Sequence, residues 1–118
     1  MKNIKIRAWE KPDKTVKFEG KMHYEVEKAD YLHKWLQDNN YEIMLWTGLL
    51  DRLRKEIYEG DIVKVKMYSG KFENYKVIWD KKEACWDSIN KKRDNWISPT
   101  VWKKSKVIGN IYEGIKIY

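Results

Sequence analysis

The sequence predicts a mainly β protein, α+β at the margin: a small, partly open, barrel-like β domain with one short helix. Three observations support this fold class. Apolar and charged residues alternate along several short stretches, which is the period of a strand with one buried face. Turn residues separate these stretches. Trp and Tyr, which favour strands, occur seven and eight times.

The first third of the chain predicts a hairpin and the single helix. Residues 4–9 alternate apolar with charged side chains, and 11–14 carry the turn residues Pro and Asp. Residues 15–18 are then expected to form a short second strand, ended by Gly20. The stretch 29–37 has apolar residues at helical spacing, so it predicts a helix that depends on tertiary packing.

The middle of the chain predicts further strands. An apolar stretch at 41–47 is expected to be a buried strand that ends at Gly48. Two more strands, 62–68 and 72–79, are joined by a hairpin turn at 69–71. In the first of these, Val63 and Val65 share one face while the intervening lysines share the other.

The last third predicts a polar excursion over 80–94, in which Trp86 and Ile89 could anchor a helical turn. A bend at Ser98 and Pro99 separates two short extended pieces. The final strand spans 106–112, and the glycine inside it, Gly109, indicates a bulge or a close backbone approach. The length of 118 residues fits one domain over 1–118.

Charge favours an anionic partner. The formal net charge is +7, from 25 Lys and Arg against 18 Asp and Glu. Long-range attraction of anions is one consequence of such a balance, and solubility is the alternative explanation. The cations that could form one anion-binding face cluster in the C-terminal half; they are Lys91, Lys92, Arg93, Lys103, Lys104 and Lys106.

Residues for catalysis or metal binding are sparse. Cys85 has no second cysteine nearby, and His23 and His33 lack the spacing of a metal pair. No glycine-rich phosphate loop precedes a helix. Cys85 is expected to be a small packed residue and not a nucleophile. The sequence therefore predicts no enzymatic activity, no metal and no cofactor.

Two charged groups allow alternative interpretations. Glu59 and Asp61 flank Gly60 and could form an acid–base pair, but the stronger hypothesis is that Gly60 supplies a special backbone angle while Asp61 binds local amides. Arg7 with Trp9 could bind an anion by charge and stacking. Alternatively, Arg7 forms a structural ion pair with Glu59 or Asp61, which is the preferred interpretation.

Location follows from features that the sequence lacks. The N-terminal residues do not form a secretory signal, and no apolar run approaches the roughly 18 residues of a membrane span. A single cysteine suits a reducing compartment. The expectation is a soluble cytoplasmic protein without a membrane partner.

Three stretches together resemble the YopX family of small proteins carried mostly by phages and prophages. The first is Arg7-Ala8-Trp9-Glu10. The second is Thr47-Gly48-Leu49-Leu50-Asp51, followed by Lys55-Glu56-Ile57-Tyr58-Glu59-Gly60-Asp61-Ile62-Val63. The third is Val107-Ile108-Gly109-Asn110-Ile111-Tyr112-Glu113. The chain departs from the family pattern at Arg54, where glycine is usual, and at its last five residues.

The resemblance implies a barrel-like, mainly β fold, self-association and the cytoplasm of a phage-infected or lysogenic bacterium. It implies no established reaction. The shared residues are expected to be structural; they are Thr47, Gly48, Asp51, Tyr58, Glu59, Gly60, Asp61, Gly109, Asn110 and Glu113. One functional hypothesis is an oligomeric, non-enzymatic accessory protein that binds a host or defence protein or a signal nucleotide. The alternative is a nonspecific DNA- or RNA-binding module that uses lysine clusters and aromatic residues.

Overall fold

The computed structural model describes residues 5–24, 35–90 and 95–113. The predicted class is confirmed: the chain is mainly β with little helix, and one sheet is curled as a half-barrel. The strands are β1 Ile6–Glu10, β2 Lys21–Tyr24, β3 Tyr41–Leu50, β4 Glu56–Tyr58, β5 Asp61–Lys66, β6 Phe72–Asp80, β7 Cys85–Asn90, β8 Asn95–Ile97 and β9 Lys106–Asn110. Two 3₁₀ helices span Lys14–Val16 and Pro99–Lys104.

The described strands form two sheets. One has the order β2-β1-β3-β4 and the other the order β8-β7-β6-β5-β9. The chain divides into two compact units, 1–46 and 47–118. The expectation of one domain over the whole chain stays a prediction. No helix in the described part of the chain has the length and apolar character needed to cross a membrane.

In the first unit, β1 pairs antiparallel with both β2 and β3, so the predicted strand at 4–9 is confirmed over its described residues. The predicted second strand at 15–18 is wrong, because the chain forms the 3₁₀ helix Lys14–Val16 there. The carboxylate of Asp13 accepts hydrogen bonds from the Thr15 backbone N–H at 2.9 Å and from its hydroxyl at 2.6 Å. Such local bonds compete with strand pairing, and the hairpin partner of β1 is β2 instead.

Most of the helix predicted over 29–37 lies outside the described residues. Its described part, 35–37, is helical. The strand predicted at 41–47 is confirmed but continues through Gly48 to Leu50 as β3. Gly48 therefore does not end it. The expectation of a buried strand is also wrong, since Met44 is the one buried residue of β3.

In the second unit, β5 and β6 form the predicted hairpin, with a register from Ile62 opposite Lys76 to Lys66 opposite Phe72. The turn is closed by the Met67 N–H, which donates to the Lys71 carbonyl at 2.8 Å, and Gly70 has a φ of +87°. One face of this sheet packs into a core; its buried members are Ile57, Val63, Val65, Tyr75, Val77, Trp102 and Val107.

The helical turn predicted around Trp86 and Ile89 is wrong, because these residues belong to β7. Their strand was hidden by a polar inward-facing position, Ser88, which is fully buried. The Ser88 hydroxyl donates to the Ile97 carbonyl at 2.6 Å and accepts from the Trp102 indole N–H at 3.0 Å. These bonds satisfy a polar side chain that would otherwise be costly to bury.

The C-terminal elements confirm one prediction and correct another. The extended piece expected at 101–102 is part of the 3₁₀ helix Pro99–Lys104, which has proline in its first turn. The final strand β9 ends at Asn110, two residues earlier than expected. Ile62 lies opposite Gly109 and Val63 opposite Val107, so one residue of β9 is left over and the predicted bulge is confirmed.

Candidate functional site

The first candidate site from the sequence, Arg7 with Trp9, lies on β1 and is buried. Arg7 exposes 2% of its surface and Trp9 exposes 8%. The guanidinium carbon of Arg7 lies 5.9 Å from the centre of the Tyr24 ring. This burial does not favour access by a soluble anion. The ion pair of Arg7 with Glu59 or Asp61 stays a prediction, as does a role of Arg7 and Trp9 in binding.

The second candidate site was the C-terminal set of cations. Lys91, Lys92 and Arg93 lie outside the described residues. Lys103 and Lys104 are exposed at the end of the 3₁₀ helix Pro99–Lys104, and Lys106 is the exposed first residue of β9. That all six form one face stays a prediction.

The structure places Lys106 beside Lys64 and Lys66, which were expected to share one face of their strand. Lys106 is directly opposite Lys64 in the β5–β9 pair. Both are exposed, as is Lys66 two positions further along β5. Like charges directly opposite each other on a sheet destabilise the pair. In the part of the chain that the structure describes, none of these three lysines forms an ion pair with a carboxylate.

Two exposed aromatic residues lie on the β5–β6 hairpin together with Lys64 and Lys66. Phe72 is opposite Lys66, and its side chain is 56% exposed. The Lys64 ammonium lies 5.0 Å from the centre of the Phe72 ring. Tyr68 is fully exposed in the turn that joins β5 to β6. We call this surface the basic hairpin; its members are Lys64, Lys66, Tyr68 and Phe72, with Lys106 alongside.

On the sheet face that carries the basic hairpin, the nearest acidic residues of β6 and β7 lie toward the far end of β6. Alternation along β6 puts Asn74 and Asp80 on the face of Phe72, and Asp87 lies opposite Ile78. At 3.3 Å per residue, Ile78 and Asp80 are about 13 and 20 Å along the strand from Asn74. Glu73 belongs to the opposite face, where the Tyr75 hydroxyl donates to it at 3.5 Å. The basic hairpin is therefore a locally positive surface among the described residues.

The residues shared with the YopX pattern mostly build the framework of the second unit. Asp51 is 5% exposed. One oxygen of its carboxylate accepts from the backbone N–H groups of Leu53 and Lys55, each at 2.8 Å. The other oxygen accepts from the Val107 N–H at 2.9 Å. Asp51 therefore ties the loop that follows β3 to the beginning of β9.

A second carboxylate has a similar role at the turn before β5. Asp61 is buried, and its side chain accepts from the Tyr58 N–H at 2.8 Å. Gly60 has a φ of +86°, as expected, and its N–H donates to the Val77 carbonyl at 2.9 Å. These bonds support the structural interpretation of Glu59-Gly60-Asp61 over the acid–base pair.

Thr47 and Asn110 complete the framework. The Thr47 hydroxyl donates to the Ile57 carbonyl at 2.7 Å, which ties β3 to β4. The Asn110 side chain accepts from the Tyr112 and Glu113 N–H groups at 3.0 and 3.1 Å, and its amide donates to the Glu113 carboxylate. All of these partners are in the second unit, and the shared polar side chains are largely occupied by backbone groups.

Comparison with known proteins identifies the family. The profile described as YopX protein matches residues 5–116. The chain belongs to the YopX family. A solved structure with a similar fold is protein EF1440 from Enterococcus faecalis, at 18% identity and a TM-score of 0.53, with 96% of each chain covered. No curated protein matches the sequence. The resemblance found in the three sequence stretches is thus confirmed, and the likeness to EF1440 concerns the fold alone.

The first unit of this YopX chain contains a polar groove of about 780 Å³ beside Tyr41. Burial, followed by the negative charge of Glu10 and Asp38, raises the pKa of the Tyr41 hydroxyl. Two charged groups of the groove are already partnered: the Glu10 carboxylate lies 2.8 Å from His23, and the Lys11 ammonium lies 3.1 Å from the carboxylate of Glu42. The groove offers few groups to a ligand in comparison with the basic hairpin.

Cys85 is exposed, so the expectation of a packed residue is wrong. It begins β7, next to a turn rich in charged residues. Desolvation is the largest cause that raises the pKa of its thiol, and the carboxylates Asp80, Asp87 and Glu83 add to it. Both effects disfavour the reactive thiolate. In the described residues no group of three or more His, Cys, Asp and Glu side chains could hold a metal ion.

Proposed function

We propose that this YopX-family chain is a non-enzymatic accessory protein of a phage or prophage, and that it binds nucleic acid through the basic hairpin. The observation that carries the proposal is Lys64 directly opposite Lys106, both exposed and without an acidic partner among the described residues. Like charges directly opposite each other destabilise the strand pair. A bound phosphate removes this repulsion, because it places a negative charge between the two ammonium groups.

The chemistry of lysine predicts how the site binds. Each ammonium is a flexible point charge that attracts a phosphate without distinguishing sequence. Three lysines are available: Lys64, Lys66 and Lys106. Three phosphate contacts correspond to a slope of about −2 to −3 for the logarithm of affinity against the logarithm of salt concentration, at ~0.7–0.9 per phosphate. The net charge of +7 favours rapid encounter with the same polyanions.

The test is a salt series with a matched pair of double variants. Lys64→Gln with Lys106→Gln removes the opposed charges, and the control, Lys81→Gln with Lys82→Gln, removes the same charge from the exposed turn before β7. Anisotropy of labelled 12-nucleotide DNA, RNA and duplex DNA gives the affinity. The hairpin variant is expected to weaken binding and reduce the slope by about 1.4–1.8, because it loses two contacts at ~0.7–0.9 each.

The control variant is expected to keep the slope of the parent chain. Absence of binding by the parent chain to all three probes would refute the proposal, as would equal weakening by the two double variants. A third variant, Lys103→Gln with Lys104→Gln, measures whether the second lysine cluster extends the surface.

A second candidate function is the binding of a host or defence protein, or of a signal nucleotide. Trp79 and Trp96 favour a protein partner, because they leave 42% and 45% of their surfaces exposed, and Trp is enriched at the centre of protein interfaces. Mass spectrometry of the protein purified from phage-infected cells distinguishes the candidates. A stoichiometric host protein retained at high salt would support this second function.

We also propose that the chain self-associates in the cytoplasm of the bacterial host. Exposed Trp and Tyr side chains and the short edge strands β8 and β9 support the proposal, because exposed strand edges tend to be covered.

A further inference from the structure

We infer that the basic hairpin binds single-stranded nucleic acid and that Phe72 and Tyr68 are the residues on which its bases stack. This inference rests on the proposed function and adds the class of ligand and the residues that select it. Lysines contact the phosphates of single and double strands alike. Aromatic rings distinguish the two, because base faces are accessible only where the strand is unpaired.

Phe72 is held as a stacking platform by the sheet. Its position is fixed by the pairing with Lys66, and the alternate residues of β6, Tyr75 and Val77, are buried in the core on the other face. The ring therefore stands on the outer face of the sheet with more than half of its surface exposed. The Lys64 ammonium near the ring brings a phosphate-binding group and a base-binding group within about one nucleotide of each other.

Tyr68 provides the second ring, at the end of the same hairpin. It is fully exposed, so the core gains nothing from its aromatic character. The Met67 N–H bond to the Lys71 carbonyl and the positive φ of Gly70 define the turn that carries it. Lys66, two residues before it at the end of β5, is also exposed. The two rings thus lie on the same hairpin as Lys64 and Lys66, so base-binding and phosphate-binding groups are available to one strand.

The experiment compares ring variants on single-stranded and duplex probes. The variants are Phe72→Leu and Tyr68→Leu, which keep an apolar side chain but remove the π-face, and Phe72→Tyr is the matched control that keeps a ring. Labelled oligo-dT of 12 nucleotides and a 12-base-pair duplex are the probes. Each Leu variant is expected to weaken dT binding about fivefold or more, the low end of a base–aromatic stack.

Duplex affinity is expected to stay unchanged in the Leu variants, and Phe72→Tyr is expected to bind dT like the parent chain. Unchanged dT affinity in both Leu variants would overturn the inference, as would an equal loss for dT and duplex. The proposed function survives either result if Lys64→Gln with Lys106→Gln still weakens both probes. Because both rings are exposed, the variants are expected to melt at the same temperature as the parent chain. Equal melting temperatures would show that a loss of affinity does not come from a loss of folding.

Discussion

Substitution of Asp51 tests whether the framework depends on a single carboxylate. Asp51→Ala removes the acceptors of three backbone N–H groups at once, those of Leu53, Lys55 and Val107. The Val107 N–H belongs to a buried bond, and the two loop donors are partly buried. The substitution therefore leaves one donor without access to water and two that water can reach.

The expected loss of stability follows from these three donors. A buried donor left without an acceptor costs about 1–3 kcal/mol, and each ordinary hydrogen bond contributes about 0.5–1.5 kcal/mol. Asp51→Ala is therefore expected to lower the free energy of unfolding by about 2–6 kcal/mol. Asp51→Asn is expected to lose about 1–3 kcal/mol, because its oxygen can serve the loop while its amide N–H faces the Val107 N–H.

Urea unfolding followed by Trp fluorescence measures both losses, with an unchanged m value showing that the unfolded state is unaffected. Asp13→Ala is the matched control, since that carboxylate also accepts a backbone N–H but is exposed. It is expected to cost clearly less than Asp51→Ala, because water can replace an acceptor that is exposed. The reasoning fails if Asp51→Ala costs no more than the control, or if Asp51→Asn is as stable as the parent chain.

Two further predictions concern backbone geometry and assembly. Gly60→Val is expected to lower the free energy of unfolding by about 1–3 kcal/mol, because Gly60 is buried with a φ of +86° that β-branched residues rarely adopt. An unchanged melting temperature would contradict this prediction. Static light scattering at tens of micromolar is expected to give a multiple of the 14.4 kDa chain mass, and the mass of a single chain would end the proposal of self-association.

The elements that sequence reasoning predicted correctly are those whose own residues carry the signal. In β5, buried Val63 and Val65 alternate with exposed Lys64 and Lys66, and a glycine turn leads into β6. The positive φ of Gly60 was predictable because the motif around it has local partners. These features depend on strand period and turn chemistry over a few residues, so they are visible without the rest of the chain.

The elements that sequence reasoning missed were decided by partners distant in the chain or by a competing local bond. β7 looks polar in the sequence because its inward-facing residue is Ser88. That residue can be buried only because Trp102 and Ile97, in other elements, form hydrogen bonds with its hydroxyl. At 15–18, conversely, the sequence pattern favoured a strand, but the Asp13 carboxylate accepts a hydrogen bond from the Thr15 N–H and a 3₁₀ helix forms instead. Strand periodicity predicts burial only when the inward residues are apolar and no local acceptor competes for the backbone.

The candidate site shows the same division. The sequence alone determined a basic, aromatic-rich, mainly β chain with YopX motifs, and it displayed Lys64, Lys66 and Phe72 in a recognisable hairpin. It singled out Lys106 as part of a different cluster, with Lys103 and Lys104. Only the antiparallel pairing of β5 with β9 put Lys106 opposite Lys64. Charge density is a property of distance in space, and sheet register, which depends on long-range pairing, decides that distance.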